Sequence, residues 1–166
     1  MKREIFTFKV ALQDEKRIWR RIAVGSDQTL DHLHQAIFEA FDRFDPHLYS
    51  FYFPKPGAKG RARIRDASEY TSPDGPEELA SWGGKPIKNA AKTRISSLDL
   101  KPGQTFHYLF DFGDSWWHEI KVEQTDETPE KSRRYPHMLE KRGDSPPQYV
   151  YPDDDYEDDY EDEDEE

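Results

Sequence analysis

Two histidines and two aspartates have the side-chain types that a metal-assisted hydrolytic site needs. They are His47, Asp111, Asp114 and His118. Imidazole nitrogens and carboxylate oxygens can hold a divalent cation with open positions for water, and the cation then activates that water for attack. The spacing of the four residues matches no specific metal motif, so the sequence offers this chemistry as a hypothesis and identifies no cofactor.

Three of these residues lie in the aromatic run 106–122, which predicts two β-strands joined by a tight turn. Aromatic and β-branched residues are frequent in strands. Gly113-Asp114 fits a two-residue hairpin loop, because glycine readily adopts the positive φ that such loops require. This loop would place Phe110 opposite Trp117 and would decide which side chains share a face of the sheet.

The predicted pairing makes Asp111 and His118 diagonal neighbours within hydrogen-bond reach. Two interpretations stay open. Either the aspartate caps the turn and the histidine is a hydrogen-bonded packing residue, or the two form a functional pair in a pocket. A one-residue bulge in the hairpin would move some of these side chains to the opposite face of the sheet.

Hydrophobic periodicity predicts the elements that precede the hairpin. Apolar residues at helical spacing predict a helix capped by Ser26 or Asp27, with His34 on its apolar side as a core or a site residue. Arg20 interrupts the apolar face of the second strand, so we expect it near an edge or paired with an acid. The predicted elements are strands over 4–12 and 17–24, a helix over 28–42 and a strand over 47–53.

Two regions show little periodicity. Residues 55–94 carry Pro and Gly signals that predict a long loop, with a short edge strand at 61–65 and one helical turn at 77–82. Prolines after the hairpin predict an irregular segment that wraps back on the sheet. The order predicts an α+β fold, in which an N-terminal β-hairpin and one main helix pack on a mixed or antiparallel sheet, compatible with a β-grasp-like roll.

Charge divides the chain into three predicted parts. We expect an α+β domain over 1–125, an irregular wrap-back segment over 126–152 and a disordered acidic tail over 153–166. Subtracting the 12 acidic residues of the tail from the total of 35 leaves 23 against 24 basic ones, so the rest of the chain carries +1 rather than −11. The tail is either a solubilising segment or an electrostatic partner segment that competes for a basic surface or mimics nucleic acid.

Several function classes are excluded by what the sequence lacks. It has no cysteine, which excludes disulfides, thiolate catalysis and cysteine-based zinc sites. No apolar stretch follows Met1-Lys2-Arg3 and no run has membrane-spanning length, so we expect a cytoplasmic protein without a membrane partner. Asp-Phe-Gly at 111–113 also occurs in protein kinases, but the glycine-rich and His-Arg-Asp loops are missing.

Five segments of the chain carry a specific pattern when taken in order. They are WRRIAV at 19–24, TL at 29–30, LHQAI at 33–37, HLYSF at 47–51 and YLFDFGDSWWH at 108–118. Together they resemble the plasmid pRiA4b ORF-3-like family, whose relatives are also labelled transposon passenger proteins of the TnpR type. The resemblance covers roughly residues 4–123. It implies a single α+β domain of largely unknown activity, often borne on mobile elements.

The C-terminal part of the sequence departs from that family pattern. Ser145 stands where the family often has a cysteine, the usual Glu-Asp pair is absent, and the acidic tail replaces a helical part.

Two functions follow as hypotheses. We favour a non-enzymatic binding module, in which an exposed Trp116, Trp117 or Tyr49 stacks on a peptide or a nucleic-acid base while the acidic tail tunes access. The alternative is the small metal-assisted hydrolase. The residues of the candidate pocket are His34, His47, Asp111, Asp114, Trp116, Trp117 and His118.

Overall fold

The computed structural model describes residues 2–74 and 86–149, and its described part contains eight strands and two α-helices. The strands are β1 Ile5–Leu12, β2 Trp19–Gly25, β3 Tyr49–Phe53, β4 Ser68–Thr71, β5 Lys88–Asn89, β6 Thr105–Phe110, β7 Trp116–Glu127 and β8 His137–Arg142. The helices are α1 Leu30–Ala40 and α2 Ala62–Arg65, and 3₁₀ turns lie at Ala90–Lys92 and Ile95–Leu98. Neither α-helix has the length and apolar character needed to cross a bilayer.

All eight strands form one mixed sheet in the order β5-β4-β3-β6-β7-β1-β2-β8. The predicted N-terminal hairpin is confirmed, with β1 antiparallel to β2 and Phe8 opposite Ile22. The other neighbouring pairs are also antiparallel, except that β4 and β5 run parallel. The fold is therefore dominated by a wide sheet.

Helix α1 confirms the helix that the sequence predicts over 28–42. Its apolar stripe follows the spacing of one helical face and is buried against the core face of the sheet. The aromatic side chains of β1, β3 and β6 supply the other side of this core. The buried residues of α1 are Leu30, Leu33, Ile37 and Ala40.

The N-terminal cap of α1 is Thr29, so the prediction of Ser26 or Asp27 is wrong. Thr29 Oγ1 accepts a hydrogen bond from the backbone N–H of His32, and His32 Nδ1 accepts one from the N–H of Thr29. This reciprocal pair satisfies backbone donors that the helix leaves free at its start. Asp27 forms a salt bridge with Arg3 instead.

The register predicted for the central hairpin is wrong by one residue. Phe110 lies opposite Trp116, and Tyr108 lies opposite His118. Since directly opposite residues share a face of a sheet, Trp116 and His118 join the core face and Trp117 lies on the other.

The shift arises because the loop between β6 and β7 has five residues, 111–115, and not the predicted two. Asp111 and Ser115 both have left-handed backbones, with φ of 63° and 56°. Asp111 Oδ1 accepts hydrogen bonds from the backbone N–H groups of Gly113 (3.0 Å) and Asp114 (3.3 Å). Aspartate tolerates this conformation because its side chain can bond to the backbone two residues on. The interpretation of Asp111 as a turn cap is therefore confirmed.

Three other segments differ from the sequence predictions. Residues 61–65 contain α2 and not an edge strand, since Ala and Arg are good helix formers. The long loop expected over 55–94 contains β4 and β5, which extend the sheet beyond β3. The segment 126–152, expected to be irregular, contributes the opposite edge strand β8. The helical turn predicted at 77–82 lies outside the described residues.

The fully buried Arg20 ties α1 and the C-terminal segment to the sheet. Its Nε donates to the Ala40 carbonyl (2.8 Å) and its Nη1 to the Arg142 carbonyl (2.8 Å). Its Nη2 donates to Ser145 Oγ (2.9 Å), whose hydroxyl donates to Asp42 (2.7 Å). As expected, Arg20 lies near an edge, on the second strand from the end, and it reaches an acid only through Ser145.

The substitution Arg20→Ala tests this buried anchor. Because several buried acceptors would lose their donor at once, we expect the free energy of unfolding to fall by about 3 kcal/mol or more. Urea denaturation followed by circular dichroism measures the change. Arg17→Ala is the matched control, since the exposed Arg17–Glu15 pair should contribute less than about 1 kcal/mol. Equal effects of the two substitutions would contradict the anchoring role.

Candidate functional site

Polar side chains from three segments of the chain converge beside the β6–β7 loop. His47 Nε2 lies 2.5 Å from the Tyr149 hydroxyl, 3.4 Å from Asp111 Oδ2 and 3.6 Å from Asp45 Oδ2. We call Asp45, His47, Asp111 and Tyr149 the His47 cluster. Two of the residues predicted from the sequence, His47 and Asp111, therefore meet here.

The hydrogen bonds of Tyr149 place the protons within the His47 cluster. The Tyr149 hydroxyl donates to Asp45 Oδ2 (2.7 Å), so towards His47 it can only accept. His47 Nε2 therefore carries a proton and donates it. The hydrogen bond to Asp45, together with burial and nearby carboxylates, raises the pKa of Tyr149 to about 12. Tyr149 thus stays protonated at neutral pH and acts as a structural bridge between the acid and the imidazole.

Exposed aromatic rings flank the His47 cluster. Phe44 is 66% exposed, and its ring meets Tyr149 edge-on with centroids 5.8 Å apart. Phe112 is 40% exposed and follows Asp111 in the hairpin loop. Asp114 is exposed in the same loop, and its charge is one of the causes that raise the pKa of Tyr149. The surface around the cluster thus contains both exposed aromatic rings and carboxylates.

Gln148 holds the C-terminal segment against the loop that follows α1. Its Oε1 accepts hydrogen bonds from the backbone N–H groups of Phe44 (2.9 Å) and Asp45 (3.1 Å), and its Nε2 donates to the Asp45 carbonyl (2.8 Å). Gln148 is buried, so these bonds are protected from water. These bonds dock the end of the described C-terminal segment on the loop that follows α1, and they position Tyr149.

A cleft of about 490 Å³ adjoins the cluster, and His47, His34, Asp31 and Tyr49 contribute to its walls. The His34 ring stacks on Tyr49 at 3.8 Å, and its Nδ1 lies 2.6 Å from the Tyr108 hydroxyl. Burial lowers the pKa of His34 to about 4, so this ring is neutral at physiological pH. The Tyr49 hydroxyl donates to Asp31 (2.5 Å). His34 thus acts in packing and closes one side of the cleft.

The three remaining candidate residues lie away from the His47 cluster in packed positions. His118 is fully buried among aromatic rings, and this burial lowers its pKa to about 3. Trp116 lies on the same sheet face under the guanidinium of Arg43, which is 4.0 Å from its ring centre. Trp117 lies on the opposite face, where it packs against Tyr52. Their separation follows from the one-residue shift in the hairpin.

The hydrogen bond predicted between Asp111 and His118 does not form. His118 Nδ1 lies 3.4 Å from the Tyr108 carbonyl. Asp111 instead accepts hydrogen bonds from the backbone of its own loop and faces His47. Across residues 2–74 and 86–149, no group of three or more His, Asp or Glu side chains is arranged to bind a metal. The four-residue metal site considered from the sequence is therefore not assembled, because His118 is buried on the core face.

Comparison with known proteins gives the family. A family model described as "Plasmid pRiA4b ORF-3-like protein" matches residues 4–164. The chain belongs to this family. The resemblance over residues 4–123 is confirmed, and the family match extends through the C-terminal part as well.

Two individual proteins are similar to this chain. "Uncharacterized protein y4hQ" of Sinorhizobium fredii (strain NBRC 101917 / NGR234) is 33% identical over 147 residues, which are 88% of this chain and 66% of that protein. The chain thus spans slightly less than two thirds of this relative. A crystal structure titled "Protein of Unknown Function MM3350 from Methanosarcina mazei Go1" has a TM-score of 0.69 at 21% identity. The alignment covers 89% of this chain and 74% of that one, and it shows a shared fold.

Sequence reasoning missed Asp45, Tyr149 and Gln148 as parts of the site. Asp45 directly precedes Pro46, and the other two follow the Pro146-Pro147 pair. The pairing of Asp45 with Tyr149 spans 104 positions. No local pattern in the sequence marks such a pair, because it depends on where the C-terminal segment docks.

Acid should destabilise the protein through His34 and His118. Unfolded imidazoles titrate near pH 6.5, whereas the buried rings have pKa values of about 4 and about 3. Between these limits the unfolded state binds more protons, so the free energy of unfolding should fall by roughly 1.4 kcal/mol per pH unit for each ring as the pH drops below 6.5. Urea denaturation between pH 4.5 and 7.5 measures this slope.

The variant His118→Gln separates this effect from the titration of carboxylates. Between pH 6 and 4.5, the slope of its free energy of unfolding against pH should be smaller than that of the wild type. The difference should correspond to the uptake of close to one proton. An unchanged slope in the variant would show that His118 is not held neutral in the folded state.

Proposed function

We propose that the protein is a non-enzymatic binding module whose His47 cluster, with its flanking rings, docks a peptide that carries basic side chains beside apolar ones. The observation behind this proposal is that exposed Phe44 and Phe112 lie in the same two loops as the carboxylates of Asp45 and Asp114. Exposed apolar side chains with a polar rim are typical of protein-binding surfaces.

The charge of this surface favours a peptide over a nucleic acid. Asp45, Asp111 and Asp114 lie together there, and they would repel the phosphates that dominate nucleic-acid affinity. A lysine or arginine side chain would be attracted to these carboxylates, and a guanidinium could also stack on an exposed phenylalanine. A basic and apolar peptide therefore matches both components of the surface.

The surface is organised before a partner arrives. Gln148 fixes the backbone of Phe44 and Asp45, and Tyr149 connects Asp45 to His47. A surface that is already ordered loses less conformational entropy on binding. The bonds from the C-terminal segment thus support a recognition role for this end of the sheet.

The aromatic residues suggested from the sequence do not supply this surface. Tyr49 is buried under His34, and Trp116 and Trp117 pack within the protein. Phe44 takes their place as the exposed ring, and its exposure follows from its position in the turn after α1.

The hydrolase alternative has less support, because the Tyr149 hydroxyl already occupies His47 Nε2. Because its pKa is raised to about 12, Tyr149 is protonated at neutral pH and is not available as a general base. The link to mobile elements and a role of the acidic tail in tuning access stay predictions.

Selection from a phage-displayed library of random peptides tests the proposed function. The full chain is the bait, and the double variant Phe44→Ser/Phe112→Ser is used for counter-selection, so that peptides that bind only the acidic tail are removed. We expect enriched peptides to combine Lys or Arg with apolar residues. Their affinity should fall by about 2 kcal/mol or more in Phe44→Ser, as is typical for a central aromatic contact, and should weaken at higher salt.

The variant Met138→Ser is the matched control, since Met138 is 44% exposed on edge strand β8, away from the cluster. It should bind the selected peptides as the wild type does. Equal binding by wild type and by the double variant would contradict the proposal. Binding of a single-stranded DNA probe that Phe44→Ser abolishes would assign the surface to nucleic acid instead.

A further inference from the structure

Four polar nitrogens are buried without a hydrogen-bond partner under the loop that follows α1. They are Nη1 and Nη2 of Arg43, Nε1 of Trp116 and Nε2 of His118. Trp116 and His118 are two residues apart on β7 and share the core face, and the Arg43 guanidinium stacks over Trp116 at 4.0 Å. Arg43 is also close enough for its charge to lower the pKa of His118. The three residues that carry these atoms are therefore neighbours in the fold.

The other buried arginine shows that this core can satisfy a guanidinium. Arg20 donates to three backbone carbonyls and one hydroxyl, all of them from the protein. Arg43 is only 7% exposed, yet its terminal nitrogens meet no acceptor among the described residues. A buried, unpaired cation is costly. The contrast points to an acceptor that is not part of the described chain.

The hydrogen bonds of His118 define what kind of acceptor fits. Its Nδ1 faces the Tyr108 carbonyl, which can only accept, so the proton of the neutral ring lies on Nδ1. His118 Nε2 therefore presents a lone pair. The site thus combines the N–H donors of Arg43 and Trp116 with one acceptor.

We propose that Arg43, Trp116 and His118 bind inorganic phosphate. Phosphate at neutral pH carries negative oxygens that would accept from Arg43 and Trp116, and it retains a P–OH group that would donate to His118 Nε2. Sulfate has the same shape and no such hydrogen, so it would leave Nε2 unpaired. The small exposed fraction of Arg43 favours a free ion over a phosphorylated macromolecule.

Titration calorimetry of the full chain in phosphate-free chloride buffer at pH 7 tests the proposal, with inorganic phosphate and sulfate as the two probes. We expect saturable binding of phosphate, and binding of sulfate weaker by about tenfold or more because a buried nitrogen stays unpaired. Thermal unfolding in the same buffers gives a second readout, since a ligand of the native state raises the melting temperature.

Three variants separate binding from a general salt effect. Arg43→Met should abolish the phosphate signal. Trp116→Phe keeps a ring under Arg43 and removes one donor, so it should weaken phosphate binding by about tenfold. Arg65→Met removes an exposed charge that pairs with Asp66, and it should bind phosphate as the wild type does.

Two results would overturn the proposal. One is the absence of saturable phosphate binding to the wild type. The other is a rise in melting temperature that is equal in phosphate and sulfate and persists in Arg43→Met, since sulfate and phosphate stabilise proteins generally by exclusion from their surface. Either result would mean that ordered water, and not phosphate, is the hydrogen-bond partner of the four nitrogens. If Arg43→Met fails to fold, unchanged affinity in Trp116→Phe would overturn the proposed geometry.

Discussion

The width of the sheet exceeds what one helix can cover, and this mismatch organises the structure. Strands lie ~4.8 Å apart, so eight of them span roughly 34 Å. The 11 residues of α1 form a rod about 16 Å long. Segments without regular structure, which follow α1 and β8, complete the cover of the apolar face. Those segments carry Arg43, Asp45, His47 and Tyr149, so each proposed site takes part of its residues from segments that close the core.

Covering an aromatic face in this way leaves ionisable groups inside, and the protein accommodates them differently. The imidazoles of His34 and His118 stay neutral among aromatic rings. The charge of Arg20 is retained because four acceptors surround its guanidinium. The terminal nitrogens of Arg43 have a ring beneath them and no acceptor among the described residues. The same low dielectric makes the Arg20 bonds strong and the isolation of Arg43 costly.

The fold alone does not specify an activity, because one scaffold supports many functions through the loops it carries. The relative from Sinorhizobium fredii is described as uncharacterized and the structure from Methanosarcina mazei as of unknown function. Functional inference for this chain therefore rests on the chemistry of its own loop residues. The neighbouring strands set the positions of the β6–β7 loop and of His47, and the docked C-terminal segment contacts His47 through Tyr149.

Local patterns in the sequence were sufficient for the N-terminal hairpin, α1 and β3, but they missed α2, β4, β5 and β8. Alternation predicted the N-terminal hairpin and helical spacing predicted α1, because the side of an element that faces the core repeats along the chain. The faces of the central hairpin were decided by the left-handed backbone at Asp111, which lengthened the loop and moved Trp116 and His118 to the core side. The His47 cluster and the Arg43 site were decided by tertiary structure alone. Each site combines segments that are distant in sequence, and these segments meet only because the loops that cover a sheet face must pack on it and on one another.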